Sequence, residues 1–164
     1  MKNTLAALVS FGSVIAATTA GGRHGPQRPL NGIWYAALRK PSYTPPGPAF
    51  GAAWTVLDGL LGAAGYRLMK APASPARSLA LAGWSLCTAG LAGYPWVFFG
   101  RKKLDASLAV TGAMLLSAAG TVAASREVDR PAAAMGVPLV LWLGFATLLS
   151  EEIWRRNSWN DRVF

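Results

Sequence analysis

Apolar residues fall in five long blocks, with glycine, proline and charged residues gathered between them. A helix that crosses about 30 Å of hydrocarbon needs roughly 17–25 residues. Blocks of that size lie at about 4–21, 49–69, 78–99, 104–124 and 132–152. The first, Leu5 to Ala20, has no charged residue and is the shortest. The second holds one acid, Asp58, near its middle. The third, Ser78 to Phe99, is uncharged, and the fourth has Asp105 only at its entrance. The fifth is uncharged until Glu151 and Glu152. So little polar chain remains that the pattern predicts an all-α polytopic membrane protein. It would be a single domain over 1–164, a five-helix bundle with a long ordered loop between helices one and two. The first block also fits a second description. Lys2, the apolar stretch Leu5–Ala17 and the small residues Thr18, Thr19 and Ala20 have the form of a secretory signal with a cleavage site.

The connections are short except for residues 22–48. There Gly22, Gly25, Pro26, Pro29, Gly32, Pro41, Pro45, Pro46, Gly47 and Pro48 prevent a long helix. Trp34, Tyr35 and Tyr43 make the segment too apolar for a free linker. The spacing predicts a short helical turn over Asn31–Arg39 and an extended cap over Pro41–Pro48, folded across one end of the bundle. Long ordered loops in compact proteins are usually functional.

Composition narrows the class. The chain has 164 residues, 52% apolar and only 14% charged, against roughly 25% charged in an ordinary soluble domain. Disorder, a basic nucleic-acid arm and a typical cytosolic enzyme are thereby disfavoured, and no nucleic-acid partner is expected. Cys87 is the one cysteine, so no intrachain disulfide can form, and His24 is the one histidine. A zinc site of histidine and cysteine is therefore not expected. The sequence has no glycine-rich phosphate loop, HExxH or Ser/His/Asp set.

The net charge of +9 bears on orientation. With five spans, Lys2, Arg67, Lys70, Arg77, Arg126 and Arg130 share one side. Arg23, Arg28, Arg39, Lys40, Arg101, Lys102, Lys103, Arg155, Arg156 and Arg162 share the other. That is ten against six, together the 16 basic residues of the chain. The excess places the long loop and the C-terminus on the cytoplasmic side and the N-terminus outside.

Seven tryptophans are many for this length. Trp96, Trp154 and Trp159 sit near span ends, where an interfacial belt is the ordinary role. Trp54 and Trp142 lie inside spans, either as packing or facing a cavity under the loop. An indole offers a flat apolar face and one N–H donor, which suits a planar polycyclic ligand. Asp58, four residues after Trp54, shares its helix face. An intramembrane carboxylate normally points into the bundle. Asp58 is then a structural hydrogen-bonding group, a partner of Arg67, a ligand contact or a proton-binding group. Gly59, Gly62 and Gly65, and the pair Ala89 and Gly93, permit close helix approach and suggest a homodimer.

The segment from Trp34 through Pro46, reading Trp-Tyr-Ala-Ala-Leu-Arg-Lys-Pro-Ser-Tyr-Thr-Pro-Pro, is followed by Phe50-Gly51 and Trp54-Thr55. It resembles the tryptophan-rich sensory protein, or TspO/translocator protein, family, whose pattern there is WYxxLxKPSWxPP and then FGxxWTxLY. Phe98-Phe99-Gly100, then Pro138 and Trp142 with Phe145-Ala146-Thr147, and finally Trp154-Arg155-Arg156-Asn157 extend the resemblance to residue 157. Several positions depart from the pattern. Tyr43 replaces a usual Trp, Asp58 a usual aromatic, Leu91 a common Asn, Tyr94 a common Trp and Ser150 a usual Asn.

The resemblance implies a bacterial integral membrane protein that binds hydrophobic planar molecules. Protoporphyrin IX or a haem-like tetrapyrrole would be its ligand, and it would need no other cofactor. Its role would be sensing or transport in tetrapyrrole and stress regulation. By position the ligand site would comprise Tyr35, Pro45, Pro46, Phe50, Trp54, Asp58, Leu91, Tyr94, Trp142 and Ala146. Arg39 and Lys40, at the cytoplasmic rim, would meet either the porphyrin propionates or the lipid headgroups. Two other functions in the same family frame are a light-dependent porphyrin-degrading enzyme, with Trp54 and Trp142 as the redox groups, and a sterol or membrane-lipid carrier.

Overall fold

The computed structural model describes residues 2–158. Trp159 and Arg162, counted above for the interfacial belt and the charge balance, lie outside the described residues. Six α-helices account for most of the described chain. They are α1 Lys2–Gly22, α2 Pro29–Ala37, α3 Gly47–Lys70, α4 Pro75–Pro95, α5 Leu104–Val128 and α6 Arg130–Asn157. No strand occurs among the described residues. The five long helices match the five apolar blocks, and the short α2 lies in the long connection, two residues earlier than the sequence predicts.

Local sequence explains the boundaries. Proline occupies the first or second position of α2, α3, α4 and α6, where its missing N–H costs no intrahelical bond. Ser74 caps α4 by accepting from the Arg77 amide at 3.1 Å, and Asp129 caps α6 by accepting from the Ala132 amide at 2.7 Å. Pro95 ends the regular part of α4, and Trp96–Gly100 continues as a wider π turn closed by Arg101 N–H to the Trp96 carbonyl at 2.8 Å. That turn directs Phe98 and Phe99 toward the long loop.

Three helices meet both the length and the hydropathy needed to cross a membrane: Asn3–Gly22, Leu104–Val128 and Arg130–Asn157. The protein is thus a helical membrane protein. α3 and α4 are long enough, at 24 and 21 residues. Glycine, serine, aromatic and charged residues lower their average, and several of these make the contacts between helices.

The long helices form a ring in which α1 touches α3 and α4, α3 touches α6, α6 touches α5, and α5 touches α4. The two ends of the bundle are filled differently. Ala64, Leu68, Ala80, Ala124 and Ala132 fill the end away from the long loop, where small side chains allow close approach. Phe98, Leu149 and Ile153 fill the loop end, with Trp34, Tyr35, Phe50, Tyr94 and Phe145 packed on them. Between lies the main core, which includes Val14, Leu57, Leu61, Trp84, Cys87 and Leu143.

Hydrogen bonds from side chain to backbone fix α1 and α4 against α3. Ser10 Oγ donates to the Gly62 carbonyl at 2.6 Å, and Trp84 Nε1 donates to the Leu61 carbonyl at 2.9 Å. Gly62 lies under the Phe11 ring, and Gly65 lies between Ser10 and Trp84. These two glycines therefore serve contacts within the chain. Ala89 is exposed, and Gly93 has open space where a Cβ would project.

Arg67 does not pair with Asp58. Its guanidinium makes a two-pronged contact with Asp129, Nε to Oδ1 at 2.8 Å and Nη2 to Oδ2 at 3.0 Å. The Arg67 guanidinium holds the Asp129 carboxyl below its usual range, with the Ala132 amide adding to the effect. Folding therefore favours ionised Asp129. That stabilisation is complete above the unfolded value of about 3.9 and is lost as pH falls through the depressed folded value. Thermal unfolding in detergent should show Asp129→Asn less stable than the parent at neutral pH, with the gap closing in acid. A gap that is constant down to the acid limit would refute this account of the pair.

Candidate functional site

The aromatic end of the bundle is built by three segments. α3 supplies Phe50 and Trp54 one turn apart, and α6 supplies Trp142 and Phe145. α4 and its π turn supply Tyr94, Phe98 and Phe99. The Trp54 and Trp142 rings meet edge to face, with centroids 6.3 Å apart and planes at 82°. Phe50 meets Trp142 the same way at 5.6 Å, and Phe145 lies 5.6 Å from Trp142 at a tilt. Tyr43, in the loop, reaches Phe145 at 6.3 Å. This geometry suits the ring quadrupoles, which favour edge contact over face-to-face stacking.

A second aromatic layer continues from the first. Tyr94 stacks on Phe98 at 5.5 Å and 18°, and its hydroxyl lies 3.4 Å from Ser150 Oγ. Trp34 and Tyr35 of α2 cover Phe98 and Phe99 edge-on at 5.4–6.4 Å. Burial pushes the Tyr35 phenol above its ordinary range, so it is neutral at physiological pH.

The loop is latched onto this end. Asn157 Oδ1 accepts from the Arg39 amide at 3.0 Å, and its Nδ2 donates to the Arg39 carbonyl at 3.0 Å. Lys40 is turned inward over the Tyr35 ring, and its Nζ donates to the carbonyls of Tyr35, Leu38 and Ala36 at 2.6, 3.0 and 3.3 Å. These contacts correct the expectation for Lys40. It closes the C-terminus of α2 and is not presented to a propionate. Arg39 is exposed at the rim.

Most of the residues singled out from sequence converge. Tyr35, Phe50, Trp54, Tyr94 and Trp142 lie in the two joined layers, and Leu91 is buried in the main core beneath them. Ala146 is half-buried one turn after Trp142. Pro45 is half-buried, whereas Pro46 is exposed and its carbonyl accepts from the Ala49 and Phe50 amides at the start of α3. Pro46 therefore positions Phe50 through the backbone. Asp58 faces α1, where its Oδ2 accepts from Thr18 Oγ1 at 2.7 Å. Three side-chain polar atoms are buried without a partner among the described residues: Asp58 Oδ1, Trp142 Nε1 and Ser125 Oγ. Trp142 belongs to the aromatic site, and Asp58 lies one turn along α3 from Trp54.

Sequence reasoning gave no site role to Thr18 or Trp84. It noted Phe145, Ser150 and Asn157 only as family positions. Near the small-residue end, Leu61, Trp84, Cys87, Ala118, Thr121 and Leu139 help line a cavity of about 20 Å³, enough for a water-sized occupant and no more. No cluster of three metal-ligating side chains occurs among the described residues.

Comparison with known proteins agrees with this architecture. The TspO/MBR family pattern matches residues 4–155. The tryptophan-rich sensory protein of Cereibacter sphaeroides is 36% identical over 127 residues, covering 77% of this chain and 78% of that protein. Protein CrtK of Rhodobacter capsulatus is 32% identical over 127 residues, covering 77% and 79%. The translocator protein of Ovis aries is 32% identical over 131 residues, covering 76% and 75%. The chain belongs to the TspO/MBR family.

Proposed function

We propose that this TspO/MBR membrane protein binds a porphyrin or related planar tetrapyrrole at the aromatic end of its bundle. It would act as a sensor or transporter for that ligand. The observation that carries this reading is the Trp54–Trp142 pair under the loop, with the Trp142 indole N–H buried and unpaired. An unpaired buried donor costs about 1–3 kcal/mol, and an acceptor on a bound ligand would recover it. The rings now fill the site with one another. A flat ligand enters by displacing edge-to-face contacts and lifting the loop, whose latch consists of two hydrogen bonds between the Asn157 side chain and the Arg39 backbone. Arg39, exposed at the rim, would meet a propionate.

The test is titration of the purified protein with protoporphyrin IX while tryptophan emission is followed. Saturable quenching is expected, and it should weaken in Trp54→Leu and Trp142→Leu. Quenching that never saturates would remove the site.

The same reading makes all five long helices membrane spans, α3 and α4 included, because each is flanked by helices that qualify on hydropathy. The basic residues then put the long loop and the C-terminus in the cytoplasm of a bacterial cell and the N-terminus outside. Cysteines introduced at Arg28 and Arg126, in a Cys87→Ser background, should label from opposite sides. Labelling of both from one side would refute the orientation. The open face at Ala89 and Gly93 is the surface assigned to a homodimer, and crosslinking that is unchanged in Gly93→Leu would count against it.

A further inference from the structure

Asp58 is not explained by aromatic packing. Its Oδ2 is held by Thr18, but its Oδ1 is buried with no hydrogen-bond partner among the described residues. A carboxylate oxygen in apolar surroundings is costly to leave unpaired. Among the described residues no side-chain cation pairs with it. α1 has no charged residue after Lys2, and α6 has none between Arg130 and Glu151. Arg67, further along α3 by about 13 Å of helix rise, is held by Asp129.

Position gives Asp58 a role in the aromatic site. Phe50, Trp54 and Asp58 descend α3 from the loop at one-turn intervals, over about 12 Å. Trp54 and Leu61, one turn to either side of Asp58, both pack in the main core, as do Val14 and Ala17 beside Thr18 on α1. Trp142, whose Nε1 is also unpaired, meets Trp54 edge to face. An unpaired acceptor one turn along α3 from Trp54 and an unpaired donor on the ring that touches Trp54 thus flank that indole, and the acceptor lies further from the loop.

We propose that Asp58 makes the deep end of this site selective for planar ligands that lead with a positively charged or N–H-bearing nitrogen, and against ligands that lead with a carboxylate. The inference rests on the reading that the aromatic cluster is the ligand site. A nitrogen donor at Oδ1 forms a charge-assisted hydrogen bond in a water-poor setting, whereas a ligand carboxylate there meets a like charge. For a porphyrin, whose nitrogens are enclosed at the centre of the macrocycle, the same charge acts by exclusion alone: it turns the propionates outward to the loop, beside Arg39. The indole N–H of Trp142 serves an acceptor on the same ligand.

The experiment uses the full chain in nanodiscs of zwitterionic lipid at neutral pH, with empty nanodiscs subtracted. The probes are two fluorescent tricyclic compounds of similar size, the cation proflavine and the anion anthracene carboxylate. The parent protein should prefer proflavine by about tenfold or more. Asp58→Asn keeps an oxygen to accept from Thr18 but loses the charge. It should weaken proflavine binding by about tenfold and strengthen anthracene carboxylate. Trp54→Leu should weaken both probes by a similar factor. Equal proflavine affinity in the parent and Asp58→Asn, or no proflavine binding by the parent, overturns the proposal. Binding of both probes untouched by Trp54→Leu and Trp142→Leu would overturn the aromatic-site reading, and with it the placement proposed here.

Discussion

Gly65→Leu should destabilise the folded protein by about 3 kcal/mol, at the upper end of the usual cost of overpacking. A Cβ at Gly65 would lie 2.5 Å from Ser10 Oγ and 2.5–2.6 Å from the Trp84 ring. Neither neighbour has room to withdraw. Ser10 is fully buried and donates to Gly62, and Trp84 is buried and donates to Leu61. Accommodating even a methyl group therefore moves α1 or α4 away from α3 and orphans a hydrogen bond in apolar surroundings. Gly59→Leu is the control, because nothing lies within 4 Å of its Cβ position, and it should be close to neutral. The lone cysteine supplies the readout. Cys87 is 1% exposed, so a thiol-reactive dye reports the unfolding of this chain in detergent. Equal midpoints for Gly65→Leu and the parent would refute the described packing of α1 and α4 on α3.

Gly65 also marks the limit of what the sequence made legible. The requirement for long apolar blocks is a property of composition along the chain, so the long helices and the ordered loop were readable from the residues themselves. Trp54 and Trp142 could be singled out because an indole inside an apolar block needs a specific account, but that their rings touch follows from the fold and not from their spacing. Partners were not readable. Ser10 and Gly62 are 52 residues apart, Thr18 and Asp58 are 40 apart, and Arg39 and Asn157 are 118 apart. Each pair joins a polar side chain to a distant helix or loop, and neither periodicity nor spacing encodes such a pairing. Charge alone misled in two cases. Arg67 was a plausible partner for Asp58 on the same helix, but it lies near the end of α3, where the cap residue Asp129 meets it. Lys40 looked like a ligand group because it is basic and near the rim. Its stem is long enough to fold back on three carbonyls at the end of α2, where a cation also suits the helix dipole.

Replacing Trp54 or Trp142 by leucine should weaken protoporphyrin IX binding by about 1–2 kcal/mol each, a five- to thirty-fold rise in Kd. Leucine retains apolar volume but offers neither a flat face nor an N–H donor. The two changes should not be independent, because the rings touch edge to face. Once one indole is gone the other has lost its own neighbour as well as half of the ligand's enclosure. The double variant should therefore depart from the sum of the single losses. Trp142→Phe separates the two contributions. It keeps an aromatic face against Phe50 and Phe145 but removes the unpaired Nε1. If that donor meets a ligand acceptor, Trp142→Phe should lose about 1 kcal/mol, roughly fivefold, with a smaller change in ligands that have no acceptor there. If the indole acts only as a surface, phenylalanine should bind nearly as the parent does. Protoporphyrin binding that is indifferent to Trp54→Leu, Trp142→Leu and the double variant would place the ligand outside this aromatic cluster.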